Sequence, residues 1–155
     1  MKAKMLVITA AFLFCQMGIQ VRAEECIVPE DIIEMSNEIG MEYHICPELL
    51  QSIAFQESRF QADAQNGNCT GLMQINPVWH QERMDRLGVT DLYDPAQNME
   101  VAADYLQELF GRYEDVGTVL MVYHGESGAV DKIEPSKYAD EILTRSAELE
   151  RMHGK

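Results

Sequence analysis

The strongest structural signal in the chain is a long amphipathic pattern over residues 95–113. Its apolar side chains recur at intervals of three and four residues: Met99, Ala102, Ala103, Leu106, Leu109, Phe110 and Tyr113. This spacing places one apolar stripe along an α-helix, and the stripe must pack against other parts of the fold. Asp94 can cap the first turn, Pro95 suits the first helical position and Gln97 can reach back to the cap. The sequence therefore predicts a helix that starts at Pro95.

Helical patterns also dominate the rest of the chain. Four further segments are predicted to be helical: residues 29–43, a segment starting at Cys46-Pro47, residues 78–87, and a charged segment from Tyr138 onward. The first of these is expected to end near Gly40. Residues 61–75 are instead rich in Asp, Asn, Gln and Gly, which indicates a loop or a small β-hairpin. The prediction is a mainly α fold with strand content confined to that region.

The N-terminal segment has the layout of a signal peptide. Two lysines precede an apolar run over residues 5–14, and a short segment ending at Ala23 offers a cleavage site. The apolar run is about half the length that a membrane-spanning helix needs, so no permanent span is expected. We expect a signal peptide at residues 1–23 and one secreted or envelope-associated domain at residues 24–155. An uncleaved N-terminal anchor is the alternative.

The exported form is strongly acidic, which limits its partners. Removal of Lys2, Lys4 and Arg22 leaves nine basic residues against 26 acidic ones, a net charge of −17 with histidines neutral. Nucleic acid is excluded as a partner, because binding to phosphates depends on positive surface charge. We expect a monomer that holds its ligand by hydrogen bonds and apolar stacking, which suits an uncharged sugar backbone.

Glu57 is the first candidate for a catalytic group. It follows Ile53-Ala54-Phe55 at the end of a mostly apolar helix, whereas most other acidic residues lie in polar runs. Apolar surroundings disfavour the ionised carboxylate, so they raise the pKa of a glutamate toward the range that general acid catalysis needs. Most glutamates at helix ends are solvated surface residues, so this assignment depends on the sequence around it.

That surrounding sequence resembles the soluble lytic transglycosylases in four blocks that occur in the same order. The blocks are residues 49–60 (LLQSIAFQESRF), residues 71–75 (GLMQI), Asp94-Pro95 with Asn98 and the helix that follows, and Tyr123 with Gly128-Ala129-Val130. Tyr138 falls where that family has a late tyrosine. The likeness covers roughly residues 47–143 and implies a lysozyme-like single domain with at most a small β-hairpin between residues 61 and 75.

The resemblance implies cleavage of the β-1,4 bond between MurNAc and GlcNAc in peptidoglycan glycan strands. Glu57 first protonates the glycosidic oxygen and then takes the proton from the C6 hydroxyl of muramic acid. That hydroxyl oxygen closes onto C1, so the product carries a 1,6-anhydro end and no water is consumed. Standard glycosidases need two carboxylates. The nearest candidates for a second one, Asp63 and Glu82, lie in polar surroundings, which favours the mechanism with a single glutamate.

The resemblance also implies a set of residues around the substrate. These are Ser58 near the carboxylate, Met73 and Gln74 in the cleft wall, and Tyr123 and Tyr138 beside the acid. Tyrosine hydroxyls near a general acid can orient it or stabilise positive charge that develops on the sugar. His124 stands where the family has asparagine, so we expect glycan contacts there to differ. Trp79 is the only tryptophan and is either a sugar-stacking platform or a core anchor.

The exported form contains three cysteines, Cys26, Cys46 and Cys69. Their spacing does not suit zinc, and we expect neither a metal nor a cofactor. Cys46 begins the predicted helix of Glu57, and Cys69 precedes the GLMQI block. A disulfide between them would tie the catalytic helix to the opposite cleft wall, and this is the predicted pair. A bond between Cys26 and Cys46 is the alternative.

Three other functions share much of this pattern. A hydrolase of the goose-lysozyme type would use the same fold and Glu57 but leave reducing ends. A non-catalytic exported module would bind glycan strands without cleaving them. A wall-opening subunit of a secretion or conjugation apparatus would keep the chemistry and add a partner. Product analysis separates the hydrolase from the transglycosylase, because the hydrolase leaves reducing ends and the transglycosylase leaves 1,6-anhydro ends.

Overall fold

The computed structural model describes residues 26–155, which form six α-helices, one short 3-10 helix and one two-stranded sheet. In chain order these are α1 (Glu30–Tyr43), α2 (Pro47–Ser58), β1 (Gln65–Asn66), β2 (Cys69–Thr70), α3 (Gln81–Leu87), α4 (Pro95–Phe110), α5 (Val116–Tyr123), the 3-10 helix (Ala129–Asp131) and α6 (Lys137–Met152). The prediction of a mainly α fold with one small hairpin is confirmed. The predicted signal peptide lies outside the described residues. Within them, no helix is both long and apolar enough to cross a bilayer.

The α4 helix begins where the sequence predicts. Asp94 is the N-cap, and its side chain accepts a hydrogen bond from the backbone N–H of Gln97 at 2.9 Å. The Gln97 side chain does not reach back to the cap. It accepts instead from the backbone N–H groups of Thr90 and Asp91, at 2.8 and 3.2 Å. Asp94 therefore caps α4, and Gln97 binds the first turn of α4 to the loop that precedes it.

The core is built around α2, which packs between α1 and α6. The helices α4 and α5 complete it, and the large side chains that are fully buried include Leu50, Ile53, Met99, Leu106, Leu120 and Ile142. Full burial of such a side chain stabilises the fold by about 1.5 to 3 kcal/mol. These contacts fix the position of α2, and with it the position of Glu57 near the end of that helix.

The α1 helix continues past Gly40, near which the sequence pattern predicts its end, and stops at Tyr43. A Cβ atom at position 40 would lie 2.6 Å from the carbonyl oxygen of Ile45. The glycine therefore allows α1 to approach the turn that leads into α2, and it does not interrupt the helix. The cap residue His44 has a left-handed conformation, with φ of 56°.

The predicted disulfide between Cys46 and Cys69 is wrong, because both residues are free thiols. Cys46 caps the start of α2 and donates to Glu48 at 3.0 Å, whereas Cys69 lies in β2 beside Glu57 at the other end of the helix. A helix of 12 residues is roughly 18 Å long. A disulfide requires Cα atoms within about 7 Å. The prediction failed because it brought the N-terminal end of α2 to the hairpin, whereas the C-terminal end, which carries Glu57, lies there.

Candidate active site

Glu57 lies in a cleft that is bounded by α2, the β-hairpin, the loop before α3, and the helices α4 and α5. We call it the Glu57 cleft, and its wall includes Glu57, Gln74, Trp79, Tyr105, Tyr123 and His124. Glu57 is half-buried on the last turn of α2. The two following residues, Arg59 and Phe60, have left-handed φ angles of 55° and 65°. The chain therefore turns sharply just after the carboxylate.

Ser58 fastens the end of α2 to the GLMQI segment. Its hydroxyl is buried and shares its proton between the carbonyl oxygens of Leu72, at 2.7 Å, and Ala54, at 3.1 Å. The Ser58 side chain is not among those that line the Glu57 cleft, and its contact with substrate stays a prediction. Its role is to hold the last turn of α2, and therefore Glu57, at a fixed distance from the opposite wall.

Burial raises the pKa of Glu57 above its usual value and is the largest influence on it. The hydrogen bond from Tyr138 and the nearby His124 act in the opposite direction and lower that pKa. The Tyr138 hydroxyl donates to Oε1 of Glu57. The pKa of Tyr138 is strongly raised, first by burial and then by the charge of Glu57, so its phenol remains a neutral donor. The site thus holds one carboxyl group with an increased proton affinity and a defined hydrogen-bond partner.

His124 supports Tyr138 by stacking. The two rings lie 3.9 Å apart between centroids with 16° between their planes. His124 directly follows α5 and lines the Glu57 cleft, while Tyr138 is on the first turn of α6. The predicted position of His124 in the cleft is therefore observed, and its imidazole also restricts the ring whose hydroxyl contacts Glu57.

Tyr123 and Met73 are joined through the backbone. The Tyr123 hydroxyl donates to the carbonyl oxygen of Met73 at 2.8 Å, and the Tyr123 ring lines the Glu57 cleft. The Met73 side chain is 0% exposed and belongs to the core. The prediction that Met73 forms part of the cleft wall is therefore wrong. Gln74, the next residue, has a left-handed φ of 52°. The chain turns there, so the Met73 side chain enters the core while the Gln74 side chain lines the cleft.

Gln74 lines the Glu57 cleft as predicted, but its amide group is engaged with the backbone. Nε2 donates to the carbonyl oxygens of Gly71, at 2.9 Å, and Ala64, at 3.2 Å. Oε1 is buried and has no hydrogen-bond partner among the described residues. The Nε2 group of Gln74 therefore stabilises the chain on both sides of the hairpin. Its Oε1 atom is left without a hydrogen-bond donor among the described residues.

Asn98 fastens this wall to α4. Its Oδ1 accepts from the backbone N–H of Met73 at 2.7 Å, and its Nδ2 donates to the carbonyl oxygens of Thr70 and Leu92, both at 2.9 Å. Asn98 is 0% exposed. A Cβ at Gly71, where φ is 81°, would lie 2.3 Å from Asn98 Nδ2. Only glycine fits at position 71 beside the buried amide of Asn98. The glycine therefore allows the GLMQI segment to lie directly against the start of α4.

Several residues of the Glu57 cleft were not assigned to the site from the sequence. They are Asn66, Asn76, His80 and Tyr105, and Cys69 and Ile75 also line the cleft although the sequence pattern assigned them no role in binding. The His80 and Tyr105 rings pack with centroids 4.8 Å apart, and burial is the main cause of a lowered pKa at His80. Tyr105 belongs to the α4 block that carried the family likeness, which was a usable signal. Asn66, Asn76 and His80 lie in loops or the hairpin, where no periodicity marks them.

Glu57 is the only carboxylate among the described residues that line this cleft. Asp63 and Glu82 are both exposed and lie elsewhere. No group of three or more His, Cys, Asp or Glu side chains in residues 26–155 is arranged to hold a metal ion. The arrangement is suited to proton transfer by one carboxyl group that is oriented by a tyrosine.

Comparisons with known proteins indicate the family of the chain. The family model described as the transglycosylase SLT domain matches residues 34–145. The transglycosylase of Enterobacteria phage PRD1 is 36% identical over 107 residues, which is 65% of this chain and 39% of the phage protein. Protein IpgF of Shigella flexneri is 31% identical over 114 residues, which is 68% of this chain and 74% of IpgF.

The fold is also similar to that of a solved structure. An inactive mutant of the lytic transglycosylase Slt from Pseudomonas aeruginosa superposes with a TM-score of 0.69 and 18% sequence identity. The match covers 82% of this chain but 25% of the Slt chain. The chain thus spans a minor part of both the phage transglycosylase and Slt. At this identity the structural match concerns the fold alone.

Proposed function

The chain belongs to the transglycosylase SLT family, and on that premise we propose that it is a peptidoglycan lytic transglycosylase. It cleaves the β-1,4 bond between MurNAc and GlcNAc and leaves 1,6-anhydro-muramic ends. The observation that carries this proposal is the pairing of Glu57 with Tyr138 in a cleft that contains no other carboxylate among the described residues. We also propose that it acts in the cell envelope, where its substrate lies and where the sequence of residues 1–23 would direct it.

The first step requires protonated Glu57. Burial favours the neutral carboxyl group, and Tyr138 occupies Oε1 as a hydrogen-bond donor. The proton is therefore carried on Oε2, which is the oxygen left to face the glycosidic bond. Transfer of this proton to the glycosidic oxygen allows the C1–O bond to break, and the GlcNAc hydroxyl leaves. Positive charge develops on the muramic sugar, beside the carboxylate that has just formed.

The second step uses the same carboxylate as a base. Glu57 removes the proton of the C6 hydroxyl, and O6 forms a bond to C1 of the same sugar. One C–O bond has broken and one has formed, Glu57 is protonated again, and no water has entered. A hydrolase that follows the usual scheme needs a second carboxylate to activate water or to act as nucleophile. The described part of the cleft offers none, which supports the intramolecular closure.

The proposal is tested by incubating the purified protein with protein-free peptidoglycan sacculi. We expect soluble glycan fragments to appear in the supernatant and the turbidity of the suspension to fall. Absence of soluble fragments between acidic and neutral pH, from a protein with intact helical circular dichroism, would overturn it.

Replacement of Tyr138 by phenylalanine is expected to change the pH dependence as well as the rate. The hydrogen bond from Tyr138 lowers the pKa of Glu57, so its removal raises that pKa. Because the acid step requires protonated Glu57, the fall in activity on the alkaline side moves to higher pH. A hydrogen bond to a charged group is worth about 1.5 kcal/mol, so the rate at the optimum falls roughly tenfold.

The measurement for Tyr138→Phe is a pH profile of fragment release for both proteins. Tyr93→Phe is the matched control, since Tyr93 is exposed and does not line the Glu57 cleft. An unchanged profile in Tyr138→Phe, together with an unchanged rate, would show that the hydroxyl does not act on Glu57.

A further inference from the structure

Gln56 immediately precedes Glu57 on α2, but its side chain does not line the Glu57 cleft. It lines a separate recess, which is formed between the last turn of α2 and one face of α6. Successive residues of an α-helix point about 100° apart, so two neighbours can face different surfaces. Gln56 therefore contacts α6 while Glu57 faces the cleft.

The amide group of Gln56 is bonded to two residues of α6. Its Nε2 donates to Oε2 of Glu141 at 3.1 Å, and its Oε1 accepts from Nη1 of Arg145 at 3.2 Å. An amide can donate to a carboxylate and accept from a guanidinium at the same time, which a carboxylate, an ammonium group or an aliphatic side chain cannot do. Gln56 is therefore matched to this pair by its chemistry as well as by its position.

The two partners of Gln56 are themselves held in place. The Arg145 guanidinium carbon lies 4.4 Å from the centroid of the Phe55 ring, which is a cation–π distance. Glu141 also pairs with Lys137, at 3.6 Å between Nζ and Oε1, but the Lys137 side chain is exposed and such pairs contribute little. The contacts with Gln56 and Phe55 therefore fix both α6 side chains against the end of α2.

Tyr138 lies on the same face of α6 as these two residues. Glu141 and Arg145 follow Tyr138 by three and seven residues, which corresponds to about one and two helical turns. Because Tyr138 donates to Glu57, this face of α6 meets two consecutive residues of α2 at three points. A slide or rotation of α6 that separates Tyr138 from Glu57 would also stretch both hydrogen bonds of Gln56.

We propose that Gln56 is a positioning residue for the proton-transferring group, because it fixes α6 in the register at which the Tyr138 hydroxyl reaches Oε1 of Glu57. This inference rests on the proposed function, in which Glu57 transfers the proton. Ser58 holds the same turn of α2 to the GLMQI segment, and Gln56 holds it to α6. The catalytic carboxyl group is thus fixed through both of its sequence neighbours.

The proposal is tested by NMR titration of the carboxyl groups in protein with isotope-labelled glutamate side chains, where the Glu57 signal is identified by its loss in Glu57→Gln. The Tyr138 hydrogen bond lowers the pKa of Glu57, so loosening of that bond raises it. We expect Gln56→Leu to raise the pKa of Glu57 toward the value in Tyr138→Phe. In the Tyr138→Phe background, Gln56→Leu should cause no further rise, since no hydroxyl is left to position.

Other titratable groups also face Glu57, and Gln56→Leu replaces none of them. Those in the wall of the cleft are Cys69 in β2, His80 before α3, Tyr105 in α4, Tyr123 in α5 and His124 after it. Glutamine and leucine are both uncharged, so the substitution adds no charge beside the carboxyl group. A change in the pKa of Glu57 therefore reports on its hydrogen bond with Tyr138.

Glu141→Ala breaks the same contact from the α6 side and keeps the test valid if Gln56→Leu folds poorly. Removal of a negative charge by itself would lower the pKa of Glu57, so a rise in this variant comes from the loosened Tyr138 contact. Gln107→Leu is the control, because Gln107 donates from α4 to the Tyr43 carbonyl at 3.0 Å but lies outside the Glu57 cleft. It also removes a hydrogen bond between helices, yet it should leave the pKa of Glu57 unchanged.

Turnover of sacculi provides the second measurement. Gln56→Leu is expected to lower kcat by about threefold to tenfold with little change in KM, because the orientation of the acid is disturbed and the substrate contacts are not. Since Gln56 acts through Tyr138, the loss should not exceed that in Tyr138→Phe. The two losses should also be non-additive in the double variant.

An unchanged pKa of Glu57 in both Gln56→Leu and Glu141→Ala would overturn the proposal. A rise in Gln56→Leu that persists undiminished in the Tyr138→Phe background would overturn it as well. Failure of the proposed function is a separate result, since the titration does not depend on turnover. If the wild-type protein releases no fragments from sacculi, the proposed function fails, and the titration still decides whether Gln56 positions Tyr138.

Discussion

Replacement of Glu57 by glutamine is expected to reduce the release of soluble fragments from sacculi by about a thousandfold or more. The amide preserves size and can still accept a hydrogen bond from Tyr138, but it cannot donate an acidic proton or remove one from the C6 hydroxyl. General acid and base catalysis each contribute roughly 10² to 10⁴ to a rate, and here both roles fall on one residue. Helical circular dichroism and thermal stability should remain close to those of the wild type.

The matched control is Glu82→Gln, which makes the same chemical change at an exposed position outside the Glu57 cleft. Its activity should equal that of the wild type. Fragment release by Glu57→Gln within tenfold of the wild-type rate would exclude Glu57 as the proton-transferring residue. Loss of activity in both variants would indicate an effect of total charge instead of a specific site.

Replacement of Asn98 by alanine is expected to have the largest effect on stability, about 2 to 5 kcal/mol. Asn98 is fully buried, and its side chain satisfies the backbone N–H of Met73 and the carbonyl of Leu92. Alanine leaves both groups unpaired, and each buried unsatisfied group costs about 1 to 3 kcal/mol. The carbonyl of Thr70 loses less, because it also accepts from the backbone N–H of Ile75 at 3.0 Å.

The effect of Asn98→Ala is measured by urea unfolding followed by circular dichroism. Asn37→Ala is the control, since Asn37 is exposed in the middle of α1, and it should change the free energy of unfolding by less than about 0.5 kcal/mol. A loss that does not exceed the control would show that the buried amide contributes little to the fold. Because Asn98 holds the GLMQI wall, we expect Asn98→Ala to lower activity as well.

Elements that depend on local sequence were predictable. The start of α4 follows from Asp94 and Pro95, and the start of α2 from Pro47, because capping and proline preferences act within one turn. The stop of α3 follows from Gly88, which adopts a left-handed φ of 73°. Glu57 was chosen as the catalytic candidate because its apolar helix and the motifs around it could be interpreted together.

Features that depend on orientation were not predictable from the pattern. Ser58 and Met73 lie in the expected motifs, yet hydrogen bonds and burial direct them away from the Glu57 cleft. The disulfide prediction failed for a related reason, since sequence does not show which end of α2 meets the hairpin. The stacking of His124 on Tyr138 joins residues from different helices, and this contact depends on how α5 and α6 pack.

The central claim is that one carboxylate cleaves the glycan by intramolecular closure, and the mass of the products tests it most directly. Fragments released from sacculi by the wild-type protein are separated and weighed by mass spectrometry without prior reduction. The mechanism predicts muropeptides lighter by one water than their hydrolysed counterparts, with ends that do not react with borohydride. Fragments that carry only reducing ends would contradict it and would instead identify the protein as a hydrolase of the goose-lysozyme type.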